Sequence, residues 1–376
     1  MTIVFVIENA GNPSNGSVMT ALRFRKELER QGHVVRIVSD GITGDGTYSL
    51  ESYKIPFISK LMRKSGMTFA KYNKKIVSQA FQGADIIHLF FPFELQRRSL
   101  KLARKMGIIC TAAFHLHPDN VLKNAGLRKP KTSTKMLFQY FRKYLYDHVT
   151  DIHCPSHFIA DELVKHNYKA RLHVISNGIT NEFKHVERNR PKVDRENPFR
   201  ILMVGRLAHE KRQDLLIDAI AESKYADMID VTFAGSGPLQ VELETRAKKL
   251  SRPATFDFFT QDKLLDEIHR SDLYVHAADV EIEGISCIEA FASGLVPLIG
   301  NATDSATKQF ALIDESLFNA GDAENLRKKI EYWIENPEHL KTAGKQYATH
   351  AKNYTIESSV KKFIQMCELA NKVDIL

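Results

Sequence analysis

The chain has 376 residues, 43% of them apolar and 26% charged, with 53 Lys and Arg against 45 Asp and Glu. That length suits two domains, and that balance excludes a disordered tail protein or a fibrous repeat. The positive excess is uneven: residues 1–190 hold 30 Lys and Arg against 15 Asp and Glu, leaving 23 against 30 in the remainder. A basic first half points to an anionic partner for it (a membrane surface, a nucleic acid or an acidic polymer) or serves solubility alone. The longest apolar stretch, 86–93, is broken by His88 and Pro92, so a bilayer-spanning helix is not expected. The opening MTIVFVIENAG lacks a basic leader and turns polar at Glu8, which reads as a first strand and not a signal peptide. Cys110, Cys154, Cys287 and Cys367 show no CxxC spacing, arguing against a zinc site, a disulfide framework and an oxidising compartment. A cytoplasmic protein is expected.

In chain order, short β-branched or apolar runs alternate with helical patterns. In the first half the runs are 3–7, 34–38, 85–89, 108–113, 151–154 and 173–175, with helices predicted over 18–30, 68–81, 95–105 and 158–166. A polar segment over 183–198, containing HVERNRPKVDRENP, reads as a linker or surface crossover. The alternation then restarts with strands predicted over 200–204, 231–234, 255–258, 273–276, 296–299 and 316–318. Such alternation predicts an α/β protein of two Rossmann-like domains, 1–185 and 199–352, joined by 186–198. The amphipathic segment 356–370, inside a last portion 353–376, is expected to pack back on the first domain.

Ligands of open parallel sheets bind beyond the carboxyl ends of the strands, so the loops there are the candidates. The first, ENAGNPSNGS over 8–17, holds Asn15, Gly16 and Ser17 and allows close backbone approach, either as an acceptor loop or as a plain turn. Gly205 ends a strand, and Arg206 and Lys211 follow at a helix start. Those two cations suit a diphosphate, a guanidinium fork and a point charge for a departing anion. AGSGP, with Gly235 and Gly237, offers a second backbone nest. The most informative stretch is Glu281-Ile-Glu283-Gly284-Ile285-Ser286-Cys-Ile-Glu289, opening a helix that ends at Gly294. Free N–H groups at Gly284, Ile285 and Ser286 make an anion site, Glu281 precedes the helix, and Glu289 lies one turn in. His115 and His117 flank the end of the strand over 108–113 and suit hydroxyl orientation or acid–base work, or a structural role. No third ligand beside them suggests a metal.

Taken together, Glu281-x7-Glu289 with AFASGLVPLI, VGRLAHEKRQDLLIDAI over 204–220, AGSGP over 234–238, SDLYVHAA over 271–278 and VISNGIT over 174–180 resemble the family 4 retaining glycosyltransferases of GT-B fold. The resemblance implies that Arg206 and Lys211 bind the donor diphosphate and stabilise it as leaving group. It implies that Glu281 holds donor-sugar hydroxyls beside the N–H groups of Gly284 and Ile285, and that Glu289 holds the ribose. By the same resemblance His115 sits near the anomeric centre, Gly16 and its neighbours approach the acceptor and phosphates, Asn177 lies in the segment closing the first domain, and no metal or cofactor is needed. Glu283 stands where the family usually has an aromatic residue, and Phe258–Gln261 where it usually has a glycine, which bears on the nucleotide base and donor sugar. EIEGISCIEA is similar to the variant found in some bacterial glycolipid synthases. A UDP-sugar donor and a membrane lipid or lipid-linked saccharide acceptor follow as expectations, with a soluble glycan or protein acceptor as the alternative.

Two basic, amphipathic segments of the first half, 54–75 and 129–146, interleave aromatic and aliphatic residues with Lys and Arg. They suit the interface of an anionic bilayer at the inner face of a membrane, or are helices packed on their own sheet with solvated charges. The basic half carries no DNA- or RNA-binding motif, so no nucleic-acid partner is expected.

Overall fold

A computed structural model describes residues 1–12, 16–53, 68–119, 121, 131–187 and 191–373. Two compact units emerge, Met1–Gly178 with Ile356–Leu376, and Ile179–Thr355. The division therefore falls between Gly178 and Ile179, where the sequence reading had set it after residue 185.

The first unit contains β1 (Thr2–Val6), α1 (Gly16–Arg30), β2 (Val34–Asp40), β3 (Thr47–Leu50), α2 (Lys74–Phe81), β4 (Ile86–Leu89), α3 (Glu94–Lys105), β5 (Ile109–Ala113), α4 (Lys131–Tyr144), β6 (Asp151–Cys154), α5 (His157–Lys165) and β7 (Arg171–Val174). Its seven strands form a parallel sheet in the order β3-β2-β1-β4-β5-β6-β7, so the winding reverses between β1 and β4. β1 and β4 are buried over nearly every residue, which is why they read as continuous apolar runs and not as alternation. α2 starts six residues later than the helical pattern suggests. The Asn73 side chain accepts from the N–H groups of Lys75 and Ile76 and sets the N-cap there, while Ala70 forms a bridge with Ser52.

The second unit runs β8 (Phe199–Val204), α6 (Gln213–Ala221), β9 (Ile229–Ala234), α7 (Gln240–Ala247), β10 (Thr255–Asp257), α8 (Gln261–Arg270), β11 (Leu273–His276), β12 (Val280–Glu281), α9 (Ile285–Ala292), β13 (Val296–Gly300), β14 (Asp304–Ser305), β15 (Leu317–Phe318), α10 (Ala323–Glu335) and α11 (Pro337–His350). Six strands make a parallel sheet in the order β10-β9-β8-β11-β13-β15, reversing between β8 and β11. β12 and β14 pair separately, Glu281 opposite Ser305. Such a reversal opens a crevice at the carboxyl ends of the two central strands.

The last helix, α12 (Ile356–Val373), belongs to the first unit and packs on α1. Ile356, Val360, Phe363, Met366, Cys367 and Ala370 form its buried stripe, at the three-and-four spacing of one helical face. Phe363 meets Phe24 (5.6 Å), Phe5 (6.0 Å) and the imidazole of His88 (4.9 Å), all edge-on. By sequence the two units differ in charge: 30 Lys and Arg against 16 Asp and Glu in the first, a balance of +14, and 23 against 29 in the second, a balance of −6. Among the described residues no helix is long and apolar enough to cross a membrane.

Phe363 is fully buried among aromatic rings, so Phe363→Ala leaves a cavity that the surrounding sheet cannot close. A loss of roughly 3–5 kcal/mol is expected. Denaturant unfolding of the full chain measures it, and an unfolding transition unchanged from wild type would show that the Phe363 ring is not packed there.

Candidate functional site

In the second unit the loops after β8 and β9 are laced backbone to backbone. Gly205 N–H donates to the Ala234 carbonyl (3.0 Å), Leu207 N–H to the Ser236 carbonyl (3.1 Å), and Leu239 N–H to the Leu207 carbonyl (3.1 Å). The approach is close enough to demand glycine. A Cβ on Gly235 would lie 2.1 Å from the Gly205 carbonyl oxygen, and one on Gly237 would lie 2.3 Å from the Leu207 carbonyl oxygen. The AGSGP element thus holds the loop that carries Arg206 and Lys211.

A single 3-10 turn, His209–Lys211, ends at Arg212 in the left-handed region (φ 58°), which also caps α6. That turn aims the two cations differently. Arg206 is partly exposed and its Nη2 donates to Glu210 Oε1 at 2.9 Å. Burial pushes the Glu210 carboxyl up, but the Arg206 hydrogen bond, its own backbone N–H and the charges of Arg206 and Lys211 together outweigh that and hold the group low. Lys211 reaches back across Gly205, its Cδ and Cε 3.6 Å from where a Cβ would stand, and its Nζ pairs with Glu281 Oε2.

Glu281 is the centre of this arrangement. Burial drives its carboxyl towards the neutral form, yet the charge and hydrogen bond of Lys211, with the N–H of Ile282, reverse the shift and keep it ionised. His276, the last residue of β11, lies with Nε2 3.6 Å from Glu281 Oε2. Burial lowers its pKa to about 4, so the imidazole is neutral at pH 7. The Tyr274 hydroxyl sits between His276 Nδ1 (3.3 Å) and Ser286 Oγ (3.0 Å). A polar chain therefore runs from Ser286 through Tyr274, His276 and Glu281 to Lys211 across the end of β11.

Gly284 follows in the left-handed region (φ 88°), where a Cβ would stand 2.3 Å from Thr307 Cγ2. The chain turns there directly into α9, whose first N–H groups, at Ile285 and Ser286, have no carbonyl one turn back. The buried side chain of Glu289 lies one turn in, and that of Glu283 is buried just before the turn. Two cations, one carboxylate and the positive end of a helix are thus brought to the switch point between β8 and β11. That is an anion site with a hydrogen-bond acceptor beside it.

In the first unit His115 lies just past β5, buried, stacked on Phe90 (5.5 Å) and edge-on to His153 (5.2 Å). Among the described residues neither of its ring nitrogens has a hydrogen-bond partner, and burial, with the neighbouring His153, puts its pKa well below the ordinary value. His117 is buried between Phe138 and Phe158 and accepts from the Asp119 N–H at 3.2 Å. Gly16 opens α1, with open space where a Cβ would stand and its carbonyl accepting from Thr20 Oγ1 (2.9 Å); Ser17 follows in the first turn. Asn177 is buried near the end of the unit's first stretch. Asn15 lies outside the described residues, as do 54–67 of the first basic segment and 129–130 of the second.

Three features of the sites escaped the sequence reading. His276 and Tyr274 were read only as strand residues, although a histidine ending a strand is the signal that drew attention to His115. Glu8, just after β1 at the reversal of the first sheet, is the third, placed in the loop 8–17 without a role of its own. It is buried and receives Gln96 Nε2 at 2.6 Å. Burial raises its pKa to about 8 against the Gln96 hydrogen bond, and the charge of Asp40 adds to the rise.

Two family models match the chain: Glycosyltransferase Family 4 over residues 14–183 and Glycosyl transferases group 1 over residues 185–350. The chain belongs to the group 1 glycosyltransferases. Among solved structures, the catalytic domain of cholesterol-alpha-glucosyltransferase from Helicobacter pylori is 44% identical over 42% of this chain and 99% of that one, with a TM-score of 0.41. HepE (Alr3699) of Anabaena, crystallised with UDP and glucose, is 14% identical over 100% of both chains, with a TM-score of 0.72. Sucrose-phosphate synthase from Thermosynechococcus elongatus is 15% identical over 100% of this chain and 99% of that one, with a TM-score of 0.75. These last two likenesses bear on the fold, which is GT-B. No curated protein matches the chain in sequence.

Because folded Glu8 keeps its proton up to about pH 8 and the unfolded residue releases it near 4.5, the native state binds the extra proton between those values. Stability contributed by Glu8 is present below pH 4.5 and is lost as pH rises to 8. Glu8→Gln removes that slope, and its advantage over wild type should grow by roughly 2–5 kcal/mol from pH 5 to pH 8. Chemical denaturation of both proteins across that range measures it; parallel pH profiles would show that Glu8 is ionised in the fold.

Proposed function

We propose that the protein transfers a sugar from a UDP-sugar, with retention of anomeric configuration, to a membrane lipid or a lipid-linked saccharide. The observation that carries the donor half of this reading is the meeting of Arg206, Lys211, Glu281 and the start of α9 at one switch point. In it the diphosphate lies against the N–H groups of Gly284, Ile285 and Ser286. Arg206 and Lys211 stabilise the charge that builds on the leaving diphosphate. Glu281, ionised and fixed by Lys211, accepts from the sugar hydroxyls, and Glu289 serves the ribose. Two cations and a helix end supply the electrostatics, and the reading therefore has no metal or other cofactor. His115 enters it as a neutral imidazole able to accept or donate one hydrogen bond to a hydroxyl. UDP is chosen as the nucleotide because HepE, of the same fold, was crystallised with UDP and with UDP-glucose.

The acceptor half rests on charge. The first unit carries the whole positive excess, and α4 exposes Met136 and Tyr140 among its lysines. That combination suits a place at the inner face of a membrane without insertion.

Replacing Lys211 by Ala removes a charge felt mainly as the leaving group departs. It should lower kcat by about 10²–10³ with a much smaller change in KM. Glu281→Gln should act similarly while leaving thermal stabilisation by UDP in place. Turnover of UDP-sugars by Glu281→Gln at the wild-type rate would remove Glu281 from the site. Transfer to soluble glycans and not to lipids in vesicles would move the acceptor.

A further inference from the structure

In the first unit a cavity of about 260 Å³ opens between α3 and the end of α4, lined by Arg97, Lys101, Arg104, Lys143, Tyr144 and His148. Arg97, Lys101 and Arg104 fall at i, i+4 and i+7, so one face of α3 presents three cations in a row. Among the described residues none of these three, nor Lys143, pairs with a carboxylate.

The two arginines are instead held by neutral groups. The Arg97 guanidinium lies 4.9 Å from the centre of the Tyr144 ring, and its buried Nε has no acceptor. Arg104 Nη2 donates to the His148 carbonyl at 2.9 Å. Two carboxylates close in sequence to these cations are engaged elsewhere, Glu94 with Arg98 (3.4 Å) and Asp147 with Arg142 (3.4 Å). Fixed guanidinium groups whose charge is left uncompensated, beside two lysines and a phenol, form a receptor for a dianionic or monoanionic phosphoryl oxygen cluster.

The wall of this cavity continues along α4. Tyr140 stacks on Tyr144 at 5.0 Å, and Tyr140 and Met136, one turn apart, are 52% and 68% exposed. A soluble phosphate would use only the cations. A phospholipid would place its headgroup in the cavity and its glycerol–acyl boundary over Tyr140 and Met136. We infer that this cavity binds the phosphoryl headgroup of an anionic phospholipid and so docks the first unit on a membrane. The inference deepens the membrane half of the proposed function and rests on it, and it is independent of the donor site.

The test is flotation of the full chain with phosphatidylcholine vesicles with and without phosphatidylglycerol, at physiological ionic strength. Each cation near an anionic surface contributes about fivefold, so Arg97→Gln with Arg104→Gln should weaken binding by about 25-fold. Lys361→Gln with Lys362→Gln, an equal loss of charge on the exposed side of α12, should weaken it far less. Lys101→Gln with Lys143→Gln, at exposed positions, should repeat the first result without touching the Arg97 guanidinium. All variants should keep wild-type UDP binding. Equal losses in the cavity and control pairs would overturn the cavity while leaving membrane association standing. Absence of wild-type binding to either vesicle would overturn both, and binding of inorganic phosphate with no preference for phosphatidylglycerol vesicles would overturn the lipid headgroup as occupant.

Discussion

The electrostatics at the end of the second unit's β11 depend on one ion pair, Lys211 with Glu281. A carboxylate placed at the end of a buried strand would take up a proton unless a cation met it there, and His276 beside it is neutral and cannot supply the charge. Lys211 alone does so, and only because its side chain crosses Gly205, which leaves room for the stem. Pairs of this kind contribute little net stability compared with apolar groups of the same size, while losing one partner is costly. Their presence is therefore better explained by what the carboxylate does when a ligand arrives than by what it contributes to the fold. Ionised and held by Lys211, Glu281 stands as a hydrogen-bond acceptor that needs no reorganisation.

Rigidity comes from the backbone. The contacts of Gly235 and Gly237 with Gly205 and Leu207 leave no space for any side chain, so the cation-bearing loop cannot drift from the sheet. Gly284 does the same for the turn into α9 against Thr307, and the pairing of β12 with β14 fixes Glu281 through Ser305. Gly344 lets α11 approach the Gly294 carbonyl to within 2.5 Å of a would-be Cβ, which anchors the far end of α9. In the proposed transfer, electrostatic stabilisation of the leaving group would depend on dipoles and charges that are already aimed, and these glycines hold them in place.

Much of this could be read from the sequence because its signals are local. Buried parallel strands show as apolar runs, and glycines at strand ends mark the loops. The charged residues flanking Gly284 mark the helix start. The two-stranded pairing of Val280–Glu281 with Asp304–Ser305 left no such trace, since two residues are too few to show a period. Strand Thr47–Leu50 was missed because it lies among polar residues at the sheet edge. The start of α2 was missed because Asn73 interrupts a pattern that lysines on both sides extend. The polar chain through Tyr274 and His276 was hidden for a different reason: its members are adjacent only once β11 and α9 are packed together.

Charge is handled in two opposite ways within the first unit. Around Phe5, Phe90 and Phe363 in its interior, ionisable groups are kept neutral: His88, His115 and His153 gather there with their pKa values lowered by burial, and Glu8 just after β1 retains its proton. The histidines take protons in the unfolded chain below pH 6.5 but not in the folded one, so their contribution to stability falls as pH drops through that value. At the surface, between α3 and α4, the opposite holds, and guanidinium charge is fixed by a ring and a carbonyl with no counter-charge. Like charges clustered without compensation cost stability, and a fold this careful to neutralise its interior would lose nothing by placing a carboxylate among them. Among the described residues none stands there, and on the membrane-docking proposal the counter-charge comes from outside the chain.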